Sequence, residues 1–435
     1  MQRLIIEKLN AWKTKRNRKP LIIRGARQVG KTWIMKEFGK QSFDNVVYIS
    51  FDNNERMKNV FDIDYDISRI ISALKIESGQ KITPDDTLLI FDEIQEVPKA
   101  LTALKYFYEN APEYAIIAAG SLLGVALHEG TSFPVGKVDF LNLYPLNFRE
   151  FLLAVGETEL ESLLRSNDYD MINAFSGKYV DLLRKYYYVG GMPEAVQTYI
   201  DTDDLKEVRG VQKELLIYYA NDFSKHAPSE TVPRIQMVWN SIPMQLAKEN
   251  RKFMYGSLRE GARAKEFELA IQWLLDCGLI HKGYRVKKPG MPLISYIELS
   301  AFKMYHLDVG LLAAMGDLDA RSILEGNRIF EEFKGALTEQ YIAQELISSG
   351  TDLYYYSEEN SSGEIDFVIQ KGRYCIPVEV KAEENLKAKS LRCFCEKYKP
   401  EKAFRTSMSN YREQDWMINI PLYAFASYIE SIVES

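Results

Sequence analysis

The run Gly25-Ala26-Arg27-Gln28-Val29-Gly30-Lys31-Thr32 satisfies the pattern G-x-x-x-x-G-K-[ST] at every fixed position. That pattern serves to hold a polyphosphate. Its glycines let the backbone wrap an anion, and backbone N–H groups and a helix N-terminus then face the phosphates. The Lys31 ammonium adds a point charge at the β and γ positions, and the Thr32 hydroxyl is a ligand for Mg²⁺. All these residues are expected to bind nucleotide, with Lys31 also acting in catalysis. Further on, the apolar run Leu88-Leu89-Ile90-Phe91 ends in Asp92-Glu93. A strand that delivers adjacent carboxylates to a sheet edge is a Walker B arrangement, with Asp92 at the metal and Glu93 polarising the attacking water. A chance match for the loop and a helix cap for Asp92-Glu93 are the plain alternatives, and each weakens in the presence of the other.

A separate carboxylate set lies near the C-terminus. Asp366 begins one strand, and Glu379-Val380-Lys381 lies on a second strand after the turn at Lys371-Gly372. Alternation along a strand puts Glu379 and Lys381 on one face. Asp366 and Glu379, with Glu339 on a preceding helix, are candidate metal ligands, and Lys381 is placed to orient or activate water. This is the constellation of a restriction-endonuclease-like fold. Its plain alternative is a charged hairpin in a fold that does not cut.

The elements needed to position these groups can be read around them. Leu21-Ile22-Ile23 before the loop is a buried strand, and Trp33 to Phe38 starts a helix. Further strands fit Val46 to Phe51, Leu88 to Phe91, Tyr114 to Ala119 and Val138 to Leu143, alternating with helices. Such alternation gives a mostly parallel sheet with ligands at the strand C-termini. Ser121, just past the fourth strand, is either a sensor of the γ-phosphate, and so a nucleotide-binding residue, or a helix cap.

The chain has 435 residues, enough for about three domains, and 46% hydrophobic residues, ordinary for a globular core. A formal net charge of −6 gives no bulk attraction to nucleic acid, so any such contact must come from local basic patches. The four cysteines form no C-x-x-C pair and the four histidines are scattered, which argues against a zinc site or a disulfide framework. The N-terminus is a basic amphipathic segment without the uncharged core of a signal peptide, and no apolar run reaches the length of a membrane span. A cytoplasmic protein that does not engage membrane is expected.

The runs Arg24 to Thr32, Phe91-Asp92-Glu93-Ile94-Gln95, Leu143 to Phe151 and Gly190-Gly191-Met192-Pro193-Glu194 resemble those of a prokaryotic AAA-superfamily ATPase family whose C-terminal region is a domain of unknown function. The resemblance extends along nearly the whole chain. It implies ATP hydrolysis with ATP and Mg²⁺ as cofactors. In relatives a Phe-Pro-x-Gly segment is commonly followed by arginine, but here Gly136 precedes Lys137. Lysine lacks the forked donors of a guanidinium, which leaves a weak phosphate sensor at Lys137, a finger elsewhere such as Arg149, or none.

The expected fold is α/β. An AAA-type P-loop ATPase core with a parallel sheet covers 1–156, a helical extension 157–225, a winged helix 226–318 and a restriction-endonuclease-like domain 319–435. The winged helix ends in a hairpin bearing Lys282, Arg285, Lys287 and Lys288, and such wings either bind DNA or make protein contacts only. Expected partners are ATP, DNA and further copies of the same chain. The function expected is an ATPase that acts on or is regulated by DNA, and the alternative is an ATP-dependent switch or scaffold with an inactive nuclease-like domain.

Overall fold

Strands buried on both faces read as unbroken apolar runs rather than alternating ones. Thr87–Asp92 and Ala115–Ala119 are such strands, buried along their whole length. The computed structural model describes residues 1–120, 134–248, 251–325, 331–358, 363–382 and 388–432. It divides into two units, Gln2–Tyr144 with Asp276–Leu279, and Pro145–Leu275 with Ile280–Ser435. Among the described residues no helix is long and apolar enough to cross a membrane.

The first unit holds a five-stranded sheet of β1 (Leu21–Arg24), β2 (Asn45–Ser50), β3 (Thr87–Asp92), β4 (Ala115–Ala119) and β5 (Asp139–Asn142), in the order β2-β3-β4-β1-β5. Every pairing is parallel. Parallel neighbours need crossover connections. Helix α1 (Ile5–Lys13) precedes β1, α2 (Lys31–Ser42) joins β1 to β2, α3 (Glu55–Ile63) and α4 (Ile67–Ser78) both lie between β2 and β3, and α5 (Pro98–Asn110) joins β3 to β4. Helix α3 has no counterpart in the sequence reading; the Asn54 side chain caps it by accepting from the Met57 N–H at 3.1 Å. Because β4 lies between β1 and β3, the tips of β1 and β3 are two strand spacings, about 10 Å, apart. The loop after β1 and the carboxylates after β3 therefore face the same sheet edge.

The second unit is helical through Thr158–Ser166, Tyr169–Ala174, Ser176–Val189, Pro193–Thr202 and Leu205–His226. Helices Val232–Leu246 and Ala264–Asp276 precede an antiparallel hairpin of β6 (Ile280–Val286) and β7 (Ile297–His306). Strand β6 also pairs in parallel with β8 (Tyr354–Ser357), which pairs with β9 (Glu364–Ile365), so the hairpin and the later strands share one sheet across residue 318. A mixed sheet follows, formed by the hairpin β10 (Phe367–Lys371) and β11 (Tyr374–Val380), then β12 (Phe404–Ser407), β14 (Ile418–Pro421) and β13 (Arg412–Glu413) at the edge. Helix Lys389–Tyr398 makes the crossover between parallel β11 and β12.

Two of the recurrent runs meet in this unit's core. Leu146 N–H donates to Gly191 O at 2.7 Å, and Gly191 N–H donates to Asp308 Oδ2 at 2.6 Å. A Cβ on Gly191 would collide with the Leu146 carbonyl, so the close approach itself requires glycine. Asn147 and Glu150 form a reciprocal capping box on helix Phe148–Ala154. These runs therefore shape the fold around the chain's entry into the second unit.

Candidate nucleotide site

The loop between β1 and α2 bends through left-handed backbone conformations. Gly25 and Gly30 have φ of 152° and 94°, and Gln28 has φ of 62°. At Gly25 a Cβ would strike the Leu143 carbonyl, whose own N–H donates to Arg24 O at 2.7 Å, so the loop's first turn is fixed against the end of β5. Arg3, buried on the N-terminal segment, donates to Val29 O at 3.2 Å and to Tyr144 O at 2.7 Å, bracing the loop from behind. Lys31 is buried and donates to Gly25 O at 2.9 Å and Ala26 O at 2.7 Å. Burial pulls its ammonium down to about 8, opposed by Glu93 and Asp92.

Opposite the loop, Asp92 at the tip of β3 is buried and held on both carboxylate oxygens. Oδ2 accepts from Thr32 Oγ1 at 2.6 Å and from the Tyr48 hydroxyl at 3.0 Å, and Oδ1 accepts from the Glu93 N–H at 3.2 Å. Burial, followed by the Asp92 charge, lifts the Tyr48 phenol to about 12, so it remains a donor. Lys36 Nζ sits over the Tyr48 ring at 3.6 Å from its centre, a cation–π contact. Glu93 has φ of 51°, and its Oε2 accepts from Gln95 Nε2 at 2.6 Å. The hydroxyl of Thr32 and the carboxylate of Asp92 are hard oxygen donors of the kind Mg²⁺ takes, brought into contact from opposite sides of the site. The loop, Lys31, Thr32, Asp92 and Glu93 thus stand together at one sheet edge. Sequence reasoning missed Arg3, Tyr48 and Gln95.

The finger candidates stand elsewhere in the chemistry. Arg149 is buried and donates through Nε and Nη2 to Glu161 Oε1 at 2.9 and 2.6 Å, and through Nη1 to Glu430 Oε2 at 2.7 Å. These pairs make Arg149 an internal ion-pair anchor. Lys137 pairs with Glu109 at 2.8 Å. Ser121 lies outside the described residues.

The C-terminal carboxylates are close but not open. Glu339 and Lys303 are both fully buried; Glu339 Oε1 accepts from Lys303 at 3.1 Å and from the Tyr305 hydroxyl at 2.5 Å, and Oε2 accepts from Arg251. Arg251 also reaches Asp366 Oδ1 at 3.5 Å, while Asp366 Oδ2 accepts from Val380 N–H at 2.8 Å. Lys303 further pairs with Glu364 at 2.5 Å, and Lys381 pairs with Glu379 at 2.7 Å. Burial raises the carboxyls of Glu364 and Glu379. Among the described residues no three His, Cys, Asp or Glu side chains are arranged to hold a metal ion. The expected metal ligands Glu339, Asp366 and Glu379 thus each lie against a protein cation.

The hairpin cations divide similarly. Arg285 donates to Ser357 O at 2.8 Å and to Glu298 at 3.3 Å, and Lys282 packs over Phe302, with burial lowering its ammonium. Lys287 and Lys288 are the exposed members of this group.

Residues 17–152 match the model of an AAA domain, residues 180–322 a domain of unknown function (DUF8612), and residues 334–425 another domain of unknown function (DUF4143). A search of curated proteins found no match. Similar solved structures include a Walker-type ATPase of Pyrococcus abyssi, 15% identical with a TM-score of 0.44 over 72% of this chain and 94% of that one. The Aeropyrum pernix ORC1 protein in complex with DNA is 12% identical with a TM-score of 0.27 over 72% and 90%. A RuvB variant of Thermotoga maritima is 13% identical with a TM-score of 0.27 over 64% and 89%. The chain therefore carries an AAA-like domain over residues 17–152, followed by two regions that match domains of unknown function.

Proposed function

We propose that this protein is an Mg²⁺-dependent ATPase in which Gly25 to Thr32 bind the phosphates, Lys31 bears on the β and γ positions and Glu93 polarises the attacking water. The observation that carries this reading is the hydrogen bond of 2.6 Å between Thr32 and Asp92, which joins the loop to the carboxylate strand. Thr32 and Asp92 are the residues that would hold Mg²⁺, whose role when bound is to neutralise charge on the phosphate oxygens. Replacing Lys31 by alanine is expected to abolish hydrolysis, and Glu93→Gln is expected to retain ATP without turning it over. Hydrolysis by Lys31→Ala at the parent rate would overturn the assignment.

For the rest of the chain we favour the switch reading over cleavage at Asp366, Glu379 and Lys381. The ion pairs that occupy Glu339 and Asp366 support it. DNA as a regulator of the switch has support in exposed Lys287 and Lys288 beside the hairpin turn. Phosphate contacts by lysine release counterions, so neutralising both residues should reduce the salt dependence of any DNA affinity by a slope of about 2. An unchanged slope would remove the hairpin from the account.

A further inference from the structure

Helix Glu331–Ser348 carries Glu339 at its middle and Gly335 one turn earlier. A glycine inside a helix is destabilising relative to alanine, so its place there asks for a steric reason. The reason is on the same face: a Cβ on Gly335 would lie 2.8 Å from Arg251 Nη2. The guanidinium fills the room left by the missing side chain, pairs with Glu339 Oε2 and extends to Asp366 Oδ1 at 3.5 Å. Lys303 and Tyr305 close the other oxygen of Glu339, and their spacing of two on β7 places them on one strand face.

We infer that this acidic centre is built around the Arg251 guanidinium as its resident cation, in place of a divalent metal, with Gly335, Glu339 and Asp366 forming the cradle. Arginine suits the role because it stays charged at any accessible pH and its fork engages two carboxylates at once. The inference does not depend on the ATPase reading, since none of these residues belongs to the nucleotide site.

The test is thermal unfolding and Mn²⁺ calorimetry on the full chain without nucleotide. Wild type is expected to show the same Tm in EDTA and in millimolar Mn²⁺. Gly335→Ala is expected to push the end of the Arg251 side chain aside and so to forfeit the rise in Tm that alanine's better helix propensity would otherwise bring. In an Arg251→Ala background the same Gly335→Ala change should bring that rise, a non-additivity expected only if the two residues share space. Arg251→Ala itself should lower Tm, and Mn²⁺ should restore part of the loss by meeting the abandoned carboxylates. If Arg251→Ala does not fold, the Gly335→Ala measurement and the wild-type titration still decide. A rise in Tm for Gly335→Ala alone, or stoichiometric Mn²⁺ binding by wild type that disappears in Asp366→Asn, would overturn the inference.

Discussion

The Gln95 amide donates to Glu93 Oε2 at 2.6 Å while Glu93 occupies the left-handed region of backbone space. Glu93 caps the short 3₁₀ turn Ile94–Glu96 after β3, and Gln95 lies within it. The hydrogen bond ties up lone-pair density that a water-polarising carboxylate needs, and it fixes where the carboxylate points. A hydrogen bond to a charged group contributes about 1.5–3 kcal/mol. Gln95→Leu is therefore expected to raise basal hydrolysis, with a ceiling on the order of ten- to a hundredfold. Steady-state phosphate release without any partner measures it. A fall in rate would mean that the amide aims Glu93 at the water.

Lys31 gives the site a pH dependence. Burial lowers its pKa to about 8, and phosphates beside it would raise the value again. The complex therefore keeps a proton that the free protein loses above about pH 8. By linkage, ATP affinity should be nearly constant below that pH and weaken above it, by up to about tenfold per unit. Calorimetric titrations from about pH 7 to 9.5 would show it, with proton uptake on binding in the upper half of the range. Flat affinity would mean that Lys31 stays protonated in the free protein.

How much of this was legible in the sequence follows the range of the interactions. The loop and Asp92-Glu93 could be read because their chemistry lives in contiguous residues, and the strands because buried parallel strands are unbroken apolar runs. Tyr48 was seen only as a strand former, since its aim at Asp92 depends on β2 lying beside β3. Gln95 lay within a quoted run, yet nothing local says that its amide turns back to Glu93. Asp366, Glu379 and Lys381 were legible as a spacing, but Arg251 and Lys303, which pair with the neighbouring carboxylates, come from elsewhere in the chain. Arg251 and Glu339 are separated by 88 residues. The alternation of Lys303 and Tyr305 was the one available hint of polar groups facing inward.

Arg149 tests the distinction between a finger and an anchor by magnitude. Its side chain is 8% exposed and that of Glu161 5%, so removing the guanidinium strands a buried carboxylate. Breaking a buried pair this way costs about 3–5 kcal/mol. Arg149→Ala should lose that much stability in urea unfolding, with ATP turnover per folded molecule close to the parent. An arginine finger would instead cost about 10³–10⁵ in turnover. A turnover loss of that size with unchanged stability would restore the finger reading.

Glu345 supplies the last expectation. It lies fully buried on helix Glu331–Ser348, with Oε1 accepting from the Phe148 N–H at 2.9 Å and Oε2 without a hydrogen-bond partner among the described residues. Burial lifts its carboxyl to about 8, the Phe148 N–H and Arg149 acting against the shift and Glu430 with it. The folded state thus holds a proton that the unfolded chain releases near its ordinary carboxylate pKa of about 4.3. Where the folded state binds more protons, stability falls as pH rises. This contribution is complete below the unfolded value and disappears as pH passes through about 8. Glu345→Gln keeps a carbonyl for the Phe148 N–H and removes the titration. Relative to wild type, the variant should therefore gain stability steadily from about pH 5 to pH 8 in urea unfolding. A difference between the two proteins that does not change with pH would show that Glu345 is ionised in the fold.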